Sequence, residues 1–246
     1  MIGSGMLPIG DDDSGVQRPH IIVAALILVN IIVFGYQITR PEEALTRFAF
    51  AWGATPYEIT RVSDIPPEIA PPILVTLITS LFLHGGFLHI GANLLFLWVF
   101  GDNIEDAMGH VRFLLFYLIC GIAGGMTEIL LDRDSLVPII GASGAISGVM
   151  GAYLVLFPRG MIRVATFLII IPLIFRLPAI VVIGFWFVVQ ALSGYASLGM
   201  DTVEGGTAFF AHIGGFVAGV VLVWFFVDSN AVRRQNAIRR GRTRPA

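Results

Sequence analysis

Apolar residues recur along this chain in long, nearly unbroken blocks, not in the alternating or one-sided patterns of soluble elements. Blocks at about 20–38, 77–100, 113–131, 140–157, 177–195 and 207–227 approach or exceed the roughly 20 residues a helix needs to cross a bilayer. They predict six spanning helices separated by polar or Pro/Gly-rich breaks. The stretch 40–72 mixes Pro41, Pro56, Pro66, Pro67, Pro71 and Pro72 with charged residues. It is too broken for a span and too long for a tight connection, so it reads as a partly structured interfacial loop anchored by Trp52 and Tyr57. Residues 166–175 are also apolar, but Pro172, Arg176 and Pro178 interrupt the pattern. The region 163–176 therefore reads as an interfacial or re-entrant segment, with a seventh span as the alternative.

Composition sharpens this picture. Of 246 residues, 56% are hydrophobic and only 13% charged, which is too little polar surface for a soluble domain of this size. The expected fold is an all-α, polytopic membrane bundle occupying residues 20–227. A polar segment 1–19 precedes it and an arginine-rich tail 228–246 follows, both read as solvated, mobile ends. The first block follows Asp11, Asp12 and Asp13 with Arg18 as the one basic residue, and it lacks an Ala-x-Ala pattern, so a retained helix is expected in place of a cleaved signal peptide. The net charge of −2 and the lack of a basic-aromatic patch give no reason to expect nucleic acid. Cys120 is the single cysteine, which excludes an internal disulfide or a cysteine-based metal cluster.

Charge placement sets an orientation. Every basic residue is arginine, and Arg233, Arg234, Arg239, Arg240, Arg242 and Arg244 crowd the tail, which places it in the cytoplasm. With six spans the N-terminus is cytoplasmic too, as are the connections bearing Arg112, Arg159 and Arg163. The tail is also a candidate for contact with anionic lipid. The loops 40–72, 132–138 and 201–206 then face the opposite side. A multi-pass protein of a bacterial inner membrane is the expectation.

A few polar residues stand inside the apolar blocks. Ser143 lies in Gly141-Ala142-Ser143-Gly144, with Gly148 continuing a smooth stripe at helical spacing. An isolated intramembrane serine ordinarily bonds back to its own helix. A serine at a helix N-terminus differs, because free N–H groups there can stabilise an oxyanion. His212 sits beside a second small-residue seam, Ala211, Gly215 and Gly219. Such a histidine suits proton transfer or interhelical bonding, but a Gly-lined contact with the Ser143 helix would make it a general base. His89 and Asn93 are four positions apart, hence on one helical face, and both offer N–H donors. Their other reading is a polar pair holding helices together. His84 is assigned an ordering role near the interface. His84, His89 and His212 lack the carboxylate spacing of a metal site, and Glu128 reads as a snorkelling acid more readily than as a triad member. No metal or cofactor is expected.

Taken together, these segments resemble the rhomboid family of intramembrane serine proteases. The resemblance rests on His89-Ile90-Gly91-Ala92-Asn93, on Gly141-Ala142-Ser143-Gly144, and on Ala211-His212 with Gly215 and Gly219. It also rests on the segment holding Gly101, Glu105, Gly109 and Arg112. It covers roughly residues 73–227. It implies a six-helix bundle and a Ser143–His212 dyad without an obligatory acid. It further implies an oxyanion hole from His89, Asn93 and the Ser143 N–H, with transmembrane-helix proteins as substrates. Two positions depart from the family pattern. Ser147 stands where some members carry a tyrosine packed under the histidine, and Gly53 follows Trp52 where many have arginine.

Overall fold

The computed structural model describes residues 7–66, 72–168, 171–198 and 207–242. The loop 201–206 and the prolines at 67 and 71 lie outside them. Strand β1 (Leu7–Gly10) is followed by helices α1 (Ile21–Ile38), α2 (Glu42–Trp52), α3 (Pro56–Arg61) and the single turn α4 (Thr76–Thr79). Then come α5 (Phe87–Met108), α6 (His110–Leu131), α7 (Ser143–Leu156), strands β2 (Met161–Leu168) and β3 (Ile171–Pro178), α8 (Ala179–Ser197), α9 (Phe209–Phe226) and α10 (Ser229–Arg242). The fold is the expected helical membrane bundle. Five of these helices, α1, α5, α6, α8 and α9, are long and apolar enough to cross a bilayer. The lipid-facing sides of α1 and α8 show why: Leu28, Ile32, Val181 and Leu192 are exposed, which water would penalise and hydrocarbon does not.

The helix carrying Ser143 is shorter than the apolar block 140–157 suggests. Helix α7 has 14 residues, or roughly 21 Å against a hydrocarbon core of about 30 Å. It is enclosed by the other helices, and every residue from Ser143 to Tyr153 is buried. Small residues make this possible. A Cβ on Gly215 would lie 2.0 Å from the Gly144 carbonyl oxygen, and one on Gly219 would lie 2.0 Å from that of Gly148. Gly124 of α6 meets the Ala211 carbonyl in the same way, at 2.5 Å. The backbones of α6, α7 and α9 thus pack at distances that any side chain would prevent. The second span also begins later than its apolar block, at Phe87, because Gly85 and Gly86 separate it from a short preceding turn.

Residues 40–66 of the loop are largely helical. They fold onto the 132–138 turn through a bridge between Ala54 and Ile139 and an Arg61–Asp134 ion pair at 2.6 Å. Trp52 and Tyr57 are half-buried there. At the other end of the bundle the 163–176 region forms neither a span nor a re-entrant helix. It forms an antiparallel hairpin, and β1 adds to it to give a three-stranded sheet in the order β1-β2-β3.

The described parts of the two terminal segments, residues 7–19 and 228–242, are packed together at the end of α5, where the sequence suggests loose, solvated ends. Asp106 of α5 accepts hydrogen bonds from the Gln17 and Arg18 amides and from the side chains of Arg234 and Gln235. Asn103 bonds both Asp11 and Arg239. Polar residues in the termini therefore satisfy polar residues at the end of α5, a pairing with no periodicity to betray it. Glu105 caps α1 by accepting from the Ile22 and Val23 amides at 2.9 and 2.8 Å.

Asp11 is buried in this cap, within 4.8 Å of the carboxylates of Asp13 and Asp102, and accepts from the Tyr153 hydroxyl at 2.5 Å. Burial, reinforced by Asp13 and Asp102, pushes its carboxyl well above the usual 3.8. The folded chain therefore holds a proton that the unfolded chain releases, and this contribution to stability falls as pH rises above that value. The slope reaches about 1.4 kcal/mol per pH unit. Asp11→Asn should flatten the decline of thermal unfolding temperature in detergent as pH rises above the usual carboxylate range. An unchanged slope would contradict the assignment.

Candidate active site

Helices α7 and α9 meet at their glycines, and the close approach brings Ser143 and His212 together. His212 Nε2 lies 2.8 Å from Ser143 Oγ, and both residues are buried. Ser143 is the first residue of α7, so its N–H is among the first-turn donors without an intrahelical acceptor. The start of α9 is held by Glu128 of α6, whose Oε2 accepts from the Ala211 N–H at 2.8 Å. Glu128 is thus neither a snorkelling acid nor a partner of the histidine ring. It fixes the turn that carries His212.

The ring's other nitrogen has a partner that the sequence reading did not name. His212 Nδ1 lies 2.7 Å from Oε1 of Gln190, a buried residue of α8. An amide oxygen only accepts, so this contact places the proton on Nδ1 and leaves the Nε2 lone pair facing the serine hydroxyl. Trp186, one turn earlier on α8, packs against the ring at a centroid distance of 6.0 Å. Ser147 does not take that role; its hydroxyl bonds back to the Ser143 carbonyl at 2.6 Å. The available signal was a single glutamine in the apolar block 177–195, four residues after a tryptophan.

His89 and Asn93 of α5 lie beside Gly141. The Gly85 N–H donates to His89 Nδ1 at 3.3 Å, which leaves Nε2 as the ring's N–H donor. Gly141, two residues before the serine, lies against both. A Cβ there would sit 2.6 Å from His89 Nε2 and 3.8 Å from Asn93 Nδ2. Its φ of +120° is a second reason for glycine. Asn93 is fully buried, and neither its Nδ2 nor its Oδ1 has a hydrogen-bond partner. A small recess lined by Ser80, Leu81, Gly141, Ser143, Ala208 and Ala211 reaches the site.

Of the three histidines weighed as metal ligands, His84 and His89 touch edge to face, with centroids 5.1 Å apart. Both nitrogens of His212 are committed to Ser143 and Gln190. The His84 backbone exchanges two hydrogen bonds with the Gln37 amide of α1 at 3.1 and 3.2 Å, while neither ring nitrogen has a hydrogen-bond partner among the described residues. Gly144, Gly148, Gly215 and Gly219 all lie in the α7–α9 seam and act as spacers.

Residues 72–229, which include His89, Asn93, Ser143, Gln190 and His212, match the family model described as the Rhomboid domain. This chain belongs to the rhomboid family. The rhomboid is 29% identical over 227 residues to Rhomboid protein 1, mitochondrial, of Saccharomyces cerevisiae, covering 90% of this chain and 57% of the relative. It is 32% identical over 226 residues to RHOMBOID-like protein 1 of Arabidopsis thaliana, covering 84% of this chain and 53% of the relative. It is 35% identical over 150 residues to Rhomboid protease GluP of Bacillus subtilis, covering 59% of this chain and 25% of the relative. The rhomboid thus spans little more than half the length of the first two.

Proposed function

We propose that this rhomboid is an intramembrane serine endopeptidase that cleaves transmembrane proteins within or near the bilayer. The observation that carries the reading is the buried 2.8 Å contact between His212 Nε2 and Ser143 Oγ, with the ring's far side held by Gln190. His212 takes the hydroxyl proton as Ser143 Oγ attacks the scissile carbonyl. The developing oxyanion is held by the Ser143 N–H, His89 Nε2–H and Asn93 Nδ2–H. His212 then protonates the leaving amine, and water releases the acyl group by the same route in reverse. The substrate helix must unwind locally to present its carbonyl, since its backbone groups are internally bonded. The arginine-bearing end, with both termini, lies in the cytoplasm in this reading.

The test is covalent labelling of the purified full chain by a fluorophosphonate, with the modified peptide mapped by mass spectrometry. Modification at Ser143 supports the proposal. A folded chain that does not react, beside an active relative that does, would leave a helix-binding protein without hydrolysis.

Gln190 carries its own prediction. Gln190→Leu keeps much of the volume and strands the Nδ1–H in an apolar site. It also removes the acceptor that would stabilise the imidazolium formed as Nε2 takes the proton, a charged-group hydrogen bond worth about 1.5–3 kcal/mol, so labelling should slow by roughly 10- to 150-fold. Gln190→Glu, which retains an acceptor, should stay closer to wild type. Equal labelling rates for leucine and wild type would remove Gln190 from the mechanism.

A further inference from the structure

The β2–β3 hairpin has no part in the chemistry, yet its two faces differ sharply. Ile162 and Val164 are buried against the bundle, and their partners across the ladder are Leu177 and Phe175. The opposite face carries Arg163 directly across from Arg176, then Ala165 across from Ile174. Both arginines are exposed, and Ile174 is 66% exposed. Like charges directly opposite one another disfavour strand pairing. Neither arginine, nor the exposed Arg159 at the hairpin's base, forms an ion pair with a carboxylate among the described residues. The arrangement calls for an anion.

Its position supplies one. The Ala179 amide donates to the Gly160 carbonyl at 2.8 Å and the Ile180 amide to that of Pro158 at 3.0 Å. These bonds close the hairpin where α7 ends and α8 begins. Ile180 and Val181 are already lipid-facing, so the hairpin stands at the bilayer boundary. Ile174 shares the outer face with the paired cations, one same-face step further from α8, so a hairpin lying along the boundary sets cationic and apolar side chains side by side against phosphate and acyl chain.

We propose that the outer face of this hairpin is a binding site for anionic phospholipid headgroups, held by Arg163 and Arg176 with Arg159 nearby, while Ile174 enters the acyl region. The site stands apart from the catalytic reading and holds whether or not the chain hydrolyses peptides.

Two measurements on the full-length protein test it. The first is native mass spectrometry in neutral detergent, titrated with phosphatidylglycerol. Each arginine near a charged surface contributes about fivefold, so R163Q or R176Q should weaken binding about fivefold and the double variant about 25-fold. The charge-conserving pair R163K/R176K should keep most of the binding, and R47Q at the other end of the bundle should keep all of it. The second uses Ile174→Cys carrying an environment-sensitive dye in nanodiscs, since the single native thiol, Cys120, is buried. Lipid-borne bromine should quench the dye more in phosphatidylglycerol than in phosphatidylcholine, and R163Q/R176Q should erase the difference. Undiminished lipid binding in a folded double variant would overturn the proposal. So would a dye freely quenched by aqueous iodide in both lipids. Protection that follows protein density instead of lipid charge would show that a second copy pairs with the free edge of β3.

Discussion

Alanine in place of Ser143 or His212 is expected to lower cleavage of a transmembrane reporter in liposomes by roughly 10⁴- to 10⁶-fold, with the double variant no worse than either single one. The non-additivity is the informative part. In the proposed mechanism the two side chains perform one proton transfer, so once one is gone the other has nothing left to do. The controls follow from the contacts. Ser143→Ala should keep the wild-type unfolding temperature, because the side chain's one bond is to the ring it serves and alanine is at ease in a helix. His212→Ala leaves the Gln190 oxygen without its donor, so it should unfold somewhat earlier while remaining folded at assay temperature. A His212→Ala protein that reacts with fluorophosphonate within tenfold of wild type would end the dyad assignment, and Ser143 would then need another base.

What was legible in the sequence, and what was not, divides along physical lines. The spans announce themselves because each lipid-facing residue must be apolar, and the small-residue seams because they recur at helical spacing. Ser143, His212, His89 and Asn93 stand out as polar residues inside such blocks, and the structure brings Ser143 to His212 and sets His89 and Asn93 beside Gly141. Gln190 also stood inside a block, but its meaning depends on α8 lying against α9, a relation no single segment encodes. The terminal cap was hidden for a related reason. Asp106, Asn103, Gln235 and Arg239 are each ordinary as surface residues, and only their mutual pairing makes them buried. The hairpin was ambiguous because an apolar run of this length serves a strand as well as a membrane helix. Its two prolines occupy places a ladder tolerates, the second and the final residue of the edge strand β3.

Asn93→Ala is expected to separate stability from activity, moving them in opposite directions. The folded chain keeps the Asn93 amide fully buried with both polar atoms unpaired, a condition that ordinarily destabilises a fold by about 1–3 kcal/mol. A donor so placed is worth retaining only if something arrives for it to bind. In the proposed mechanism the neighbouring His89 N–H and the first amide of α7 share that role, and the arriving group is an oxygen that acquires negative charge during attack by Ser143. Removing one such donor raises the barrier by roughly 2.7–4 kcal/mol, or about 10²- to 10³-fold in kcat. Removing an unpaired buried amide should at the same time leave the unfolding temperature unchanged or raise it. A structural polar pair predicts the reverse, an earlier unfolding with turnover largely preserved. Measuring kcat and the unfolding temperature on one preparation of the variant decides between them. Full activity in Asn93→Ala would remove the residue from the oxyanion hole and leave His89 and the Ser143 amide to hold the charge alone.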